Sequence, residues 1–267
     1  MVSPAIALAF VPLLLTLLLR YRHHVLLLYR AVVLSWLRDR LSGVSREQRA
    51  FQYVLSHGIP GDPGHILLTF DRWSYHCEHL SGVGPVKGRI VERLVRERAP
   101  RRVLELGTYC GYGTVLLARA LPPGARLCTV EDNPRHAAVA SKVIRMAGFD
   151  ERTVQLIVGP SAEVIPQLRR RHRLAQADFV FMDHWKRRYV RDLRLLERLR
   201  LLAPGATVLA DHVLFPGAPR FLQYARSCGR FHTRLHRASL EYCPGIPDGL
   251  AELRYTGPAQ HSPELYP

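Results

Sequence analysis

A chain of 267 residues with 38 Lys and Arg against 22 Asp and Glu carries a formal charge of +16, and 48% of its positions are apolar. That composition excludes a disordered chain and a polytopic membrane protein, and the length is enough to bury a full core without disulfides or structural metal. The five cysteines (Cys77, Cys110, Cys128, Cys228 and Cys243) are odd in number and never form a CxxC pair, which speaks against zinc sites and secreted disulfide frameworks and for a reducing compartment.

Val2 to Leu19 is a run of 18 uncharged, mostly apolar residues. At ~1.5 Å per residue it spans about 27 Å, close to the hydrocarbon thickness of an ER-like bilayer. A cleaved signal peptide is the rival reading. No Lys or Arg precedes the run, however, and Arg20, Tyr21, Arg22, His23 and His24 follow it where a small-residue cleavage site would stand. An uncleaved anchor is expected, with Pro12 a tolerated kink and the rest of the chain on the cytosolic side of the endoplasmic reticulum or another endomembrane, because the positive flank is C-terminal. If the anchor does not insert, the chain is cytoplasmic. Val25 to Leu37 is again apolar, with His23, Arg30 and Arg38 at helical spacing; it reads either as a helix lying at the interface or as an ordinary packed helix. The expected division is residues 1–40 as anchor and interfacial helix and residues 41–267 as the folded domain.

Residues 1–40 supply only +4 of the charge, so the basicity belongs to the whole chain. Its densest run, Arg169 to Arg173, reads as a solvated helix end, and without aromatic interleaving no nucleic-acid partner is expected.

Beyond Leu41 the pattern alternates helix and strand. Ser45 and Gln48 make a capping-box start before a helix that ends at Gly58, and a second short helix is expected over His65 to Cys77. Val86, Ile90, Val91, Leu94 and Val95 form an apolar stripe that ends at Pro100, and Arg102 to Gly107 follows as a short buried strand. Strands are expected near Ala125 to Val130, Val154 to Val158, Ala177 to Met182 and Ala206 to Ala210, with helices at Arg135 to Met146, Ala162 to Leu168 and Tyr189 to Leu199. Phe231 to Tyr242 and Gly249 to Thr256 are strand-like with no helix between them. The fold class is therefore α/β: a doubly wound, mostly parallel Rossmann-like sheet closed by a C-terminal antiparallel hairpin and preceded by a hydrophobic anchor. The Pro-rich end from Gly257 reads as a frayed terminus.

Two constellations carry chemistry. Glu105-Leu-Gly107-Thr-Tyr-Cys-Gly111-Tyr-Gly113 sits at the first strand-to-helix turn, where small residues let a ligand approach the backbone. It is neither GxGxxG nor a Walker A loop, so a nucleoside without a pyrophosphate fits better than a phosphate cradle. Glu131 ends the second strand, 24 residues after Gly107, where a carboxylate can accept both ribose hydroxyls. Together these describe an S-adenosylmethionine site; the plainer alternative is that each Gly is a turn residue. Asp183 and Asp211 each fall just after an expected strand, where both carboxylates can share a divalent cation, with His212 a third ligand. The plainer alternative is a helix N-cap after each strand. Lys186 stands beside them, and next to a cation and a desolvating Trp185 its ammonium would become a usable base.

These residues resemble the catechol O-methyltransferases, above all the membrane-anchored members. The likeness runs from Glu47 to Pro258 and rests on Val83-Gly-Pro-Val-Lys-Gly88, Leu104-Glu-Leu-Gly-Thr-Tyr-Cys-Gly-Tyr112, Ile165-Pro-Gln-Leu168, Asp183-His-Trp-Lys-Arg-Arg-Tyr189, Leu209-Ala-Asp211, Pro216-Gly217 and Leu240-Glu-Tyr242. The resemblance implies a class I S-adenosylmethionine-dependent methyltransferase acting on catechols such as catecholamines, with a magnesium ion. It implies Glu105, Tyr109 and Glu131 as cofactor residues, with Val83, Ser161, Asp183 and His184 lining the same pocket. Asp183, Asp211 and His212 would hold the metal, Lys186 would be the base, Glu241 would orient the second hydroxyl, and Trp185 and Pro216 would grip the ring. Four positions depart from the family: His212 replaces an Asn, which favours transition metals over magnesium, His79 and Ser81 stand where the family has Trp and Met, and Ala162 replaces a Gln near the adenine. The competing expectation is a weakly active or inactive methyltransferase fold that serves as a folding or trafficking partner for membrane proteins.

Overall fold

The computed structural model of the chain describes residues 10–257. Residues 2–9 of the expected anchor and the Pro-rich end after Gly257 lie outside the described residues. From Val11 to Ser42 the chain is a single helix, α1, loosened by one π-turn at Tyr29–Val33; it is long and apolar enough to cross a membrane. The sequence marked a break between an anchor and a second helix, but nothing in this segment breaks a helix past its first turn. Pro12 sits there, where its missing N–H costs nothing.

The fold that follows is built from capped helices and short buried strands. Ser45 opens α2 (Arg46–His57), its hydroxyl accepting the Gln48 N–H at 3.3 Å, and Asp62 opens α3 (Pro63–His76) through the His65 N–H at 3.0 Å. Next come α4 (Gly84–Arg98), β1 (Arg102–Leu106), α5 (Tyr112–Ala120), β2 (Arg126–Glu131), α6 (Pro134–Met146) and β3 (Val154–Val158). A broken helical stretch covers residues 161–171. The single helix expected over Ala162 to Leu168 is split there into Ser161–Val164, a 3-10 turn Ile165–Gln167 and Leu168–Arg171, because Pro166 lacks an N–H and its ring crowds the preceding turn. The chain closes with β4 (Ala177–Met182), α7 (Tyr189–Arg198), β5 (Leu202–Ala210), α8 (Pro219–Ser227), β6 (Phe231–Leu240) and β7 (Cys243–Tyr255). The sequence analysis gave no helix over the α8 residues.

The seven strands form one sheet in the order β3-β2-β1-β4-β5-β7-β6, parallel from β3 to β5 and antiparallel at β7 and β6. Alternation along each strand feeds two cores. Val103, Phe179, Phe181 and Leu209 face the layer of α2 to α6, while Leu104, Leu106, Val180, Met182, Val208 and Ala210 face residues 161–171, α7 and α8. β1 and β4 are neighbours although two helix-strand units separate them in sequence, so the chain switches sides between them. Open α/β sheets bind their ligands at the carboxyl ends of the strands at such a switch.

Candidate active site

Gly107, Glu131, Asp183 and Asp211 lie at or just beyond the carboxyl ends of β1, β2, β4 and β5, and a cavity of about 730 Å³ opens over that edge. Its walls include Gly107, Tyr109, Gly113, Glu131, Ser161, Asp183, His184, Trp185, Lys186, His212, Pro216 and Glu241. Three expected cofactor residues stand behind the wall instead. Val83 is buried at the start of α4. Gly111 packs on Ala140 of α6. Glu105 points its carboxyl under Gly113, where its Oε2 accepts the hydroxyls of Thr114 and Thr129 at 2.5 and 2.6 Å. Strand alternation explains Glu105: position 105 faces the helix layer, not the strand end. Burial pushes its carboxyl up to about 8, against those two hydroxyls, which tie it to the start of α5 and to β2.

The cofactor half is made of backbone turns. Gly107 has φ +102, and a Cβ there would come within 2.5 Å of the Asp183 carbonyl, so only glycine lets the β1 and β4 loops meet. Glu131 accepts the N–H groups of Tyr109 at 2.7 Å and Asn133 at 3.0 Å. Burial opposes its charge, but His136 and those two N–H groups hold its carboxyl below the usual range. The Tyr109 hydroxyl donates to Glu47 at 2.6 Å and accepts from Arg46 at 3.2 Å, which ties the glycine loop to α2. Opposite, the fully buried Asp192 takes hydrogen bonds from Ser161 at 2.6 Å and His184 at 2.8 Å, so the β4 loop and the start of the 161–171 stretch are fixed on one carboxylate.

The other half is made of charge. The ligand atoms of Asp183, Asp211 and His212 lie within 4.8 Å of one another, and those of His212, Glu241 and Asp248 form a second such group. Lys87, fully buried on α4, places its Nζ 2.7 Å from Asp211, 2.7 Å from Asp248, 3.5 Å from Glu241 and 3.2 Å from His212 Nδ1. Burial works against the Lys87 charge, yet Asp211, Glu241 and Asp248 hold its ammonium above its ordinary value. His212 is likewise held up to about 9, the pull of Asp211 and Glu241 exceeding the cost of burial. Asp211 Oδ2, His212 Nε2 and Glu241 Oε2 are buried and without a hydrogen-bond partner. These unpartnered atoms gather around His212, with Asp183 Oδ1 3.8 Å from its Nε2; once the imidazole gives up its proton they fit a small cation, and its nitrogen suits a transition metal better than magnesium.

Lys186 lies at the rim of this cluster, 3.1 Å from Asp183 Oδ1 and 3.1 Å from the Tyr189 hydroxyl, which itself donates to the Met182 carbonyl at 2.7 Å. Trp185 does not desolvate it as expected: the indole is 71% exposed and forms a flap at the mouth, since no layer packs outside the loop after β4. The sequence reading assigns no role to Lys87, Asp248, Tyr189, Arg46 or Glu47, although Lys87 and Tyr189 stand within the motif strings that carry the family likeness. Lys87 also left a physical signal there, a charge on the inner stripe that it shares with Val91, Leu94 and Val95 of α4.

Residues 72–222 match the O-methyltransferase family profile. The chain is 66% identical over 256 residues to the mouse (Mus musculus) transmembrane O-methyltransferase homolog, covering 96% of this chain and 99% of that one. It is 42% identical over 231 residues to the bovine (Bos taurus) catechol O-methyltransferase, covering 86% and 84%. Among solved structures, an O-methyltransferase of Streptomyces achromogenes in complex with S-adenosylmethionine superposes with a TM-score of 0.61 at 26% identity, covering 80% of this chain and 100% of that one. With the strand order, the glycine turn and these relatives in agreement, the chain belongs to the O-methyltransferase family, alongside the transmembrane O-methyltransferases and the catechol O-methyltransferases.

Proposed function

We propose that the protein transfers the methyl group of S-adenosylmethionine to one hydroxyl of a catechol, with a divalent cation held by Asp183, Asp211 and His212, on the cytosolic face of an endomembrane. The observation that carries this reading is the sharing of one cavity by the Gly107 to Glu131 cofactor half and by Asp183, Lys186, His212 and Glu241, the last two with an unpartnered side-chain atom each. The cation, when bound, supplies the positive charge that makes a phenolic hydroxyl acidic. Glu131 receives the ribose hydroxyls, and the Gly107 and Gly113 turns leave room for the nucleoside. Lys186 in its neutral form accepts the hydroxyl proton at Nζ, held in place by Tyr189 and Asp183. The oxygen lone pair then forms the new C–O bond as the sulfur–methyl bond breaks, leaving a neutral thioether and a positive Lys186. Glu241, buried beside His79, holds the second hydroxyl. Alignment of oxygen, methyl and sulfur is the part of the barrier that such a cavity removes.

The second reading, a methyltransferase fold retained as a partner for membrane proteins, is favoured by one observation. The Lys87 ammonium already neutralises Asp211 at 2.7 Å and so competes with a metal for that carboxylate. The two separate in one assay: methyl transfer from labelled cofactor to catechol, in magnesium or manganese and then in chelator. Metal-dependent product supports the enzyme. A cofactor-binding protein that makes no product with either metal supports the partner.

A further inference from the structure

The inner face of α1 is not lipid-facing throughout. His23, Leu27, Arg30, Ala31, Leu34, Ser35 and Arg38 are sheltered by the protein while their neighbours on the helix are exposed, a stripe at helical period that begins below the apolar end. Leu27 packs with Phe215 against Leu240, Cys243 and Ile246, and His24 meets Phe215 edge to face at 5.7 Å. The His23 ring rests on the backbone of Gly245, where any Cβ would overlap it. Arg30 donates to the Ser74 and Tyr75 carbonyls at 2.8 Å each, and Arg46 reaches from α2 to the Ala31 and His79 carbonyls at 3.2 Å each. Of the two readings of Val25 to Leu37, these contacts favour the packed helix, with Arg30 satisfied by backbone carbonyls.

Leu27 and Ala31 also line the cavity that holds Lys186 and Pro216. They stand on the side of His79, whose imidazole is kept neutral with a value near 4, first by burial and then by the charges of Arg46 and Arg30. Seven residues of helix, about 10 Å, separate Leu27 from Arg20, where the basic cluster marks the end of the apolar segment. Leu13 to Leu19 above it are uncovered by any part of the protein. The acceptor pocket therefore opens within two helical turns of the membrane interface.

We propose that α1 is the outer wall of the acceptor site and that Leu27 and Ala31 select a catechol carrying an apolar substituent, taken from the bilayer interface. The proposal deepens the catechol reading above and rests on it for the ring, while the wall itself is tested by binding alone. The full-length chain in phosphatidylcholine nanodiscs, with magnesium and S-adenosylhomocysteine, is titrated with catechol and with 4-octylcatechol by calorimetry, and methyl transfer is assayed on the same preparations. 4-Octylcatechol is expected to bind more tightly. Leu27→Ala, which hollows the wall, and Ala31→Phe, which fills the pocket, should each cut the ratio of the two affinities by about tenfold. Val32→Ala, on the exposed face of α1, should leave that ratio as it is. Equal wild-type affinity for the two probes, or a ratio that ignores both Leu27→Ala and Ala31→Phe, overturns the wall. Tight 4-octylcatechol binding without methyl transfer upholds the wall and overturns the enzyme; methyl transfer with equal affinities does the reverse.

Discussion

The two halves of the cavity are built differently. The cofactor half consists of turns at the ends of β1 and β2, Tyr109, Ser161 and Asp192 are paired with neighbours, and Glu131 carries its charge on N–H groups of its own loops. The acceptor half is assembled from α4, the β4 and β5 loops, the β6–β7 turn and α1, and it holds four carboxylates against two buried cations with several atoms unpaired. Paired backbone sites tolerate little change and keep one ligand. Charge clusters made of distant side chains can be retuned, and three of the four departures from the catechol-type pattern (His212, His79, Ser81) gather there, with Ala162 alone on the cofactor side.

The largest effect expected from this contrast falls on Lys87. Lys87→Met leaves Asp211, Asp248 and Glu241 facing one another with His212 as the remaining internal cation, at a cost of about 3–5 kcal/mol in urea unfolding, and added divalent cation should recover part of it. Loss of less than about 1 kcal/mol would mean that the cluster does not depend on this ammonium. Asp192→Asn sharpens the cofactor side. Burial opposes the Asp192 charge, but His184, Arg191 and Ser161 hold its carboxyl below the ordinary 3.8. Its contribution, about 2 kcal/mol from charged hydrogen bonds, is therefore full above the unfolded value and is lost as pH falls through the lower folded one. Unfolding of wild type and variant should differ by a constant amount from neutral pH down to about pH 4 and converge below it. A gap that widens with acid would give that carboxylate the opposite role.

Glu131→Ala should weaken S-adenosylmethionine binding by roughly tenfold or more without unfolding the domain, as calorimetry would show, because the ribose hydroxyls lose a charged acceptor. His212→Asn should move metal preference towards magnesium and raise magnesium-dependent turnover, since a carboxamide oxygen replaces an imidazole that a hard cation accepts poorly; manganese binding followed by electron paramagnetic resonance gives a readout separate from turnover. The smallest effect belongs to the rim: Arg188→Ala removes a 2.7 Å pair with Asp132 in which both side chains are a third or more exposed, and stability should change by no more than about 1 kcal/mol.

The same contrast governs what could be read from the sequence. β3 and β4 are found with the expected bounds, Val154–Val158 and Ala177–Met182, because short, mostly apolar runs of parallel strands stand between turn signals. The glycine turn and Glu131 were legible for a related reason, being local to strand ends. α8 was missed since Phe221 and Ala225 are its only buried residues, too few to show a period. Lys87 was missed because its partner Asp248 lies 161 positions away. The docking of α1 was half legible: His23, Arg30 and Arg38 showed the spacing, but backbone carbonyls such as those of Ser74 and Tyr75 leave no trace in a sequence. Glu105 stands behind the cavity wall rather than in it, because family likeness does not say which face of β1 a residue takes.

The union of the two halves in one methyl transfer is tested most directly by single-turnover chemistry on the full-length chain, with methyl-labelled S-adenosylmethionine, a catechol and divalent cation, wild type beside Lys186→Ala. The expected result is label on one catechol oxygen in the wild type and a rate lower by about a hundredfold or more in the variant, which still binds the cofactor. Equal rates in the two proteins would contradict it.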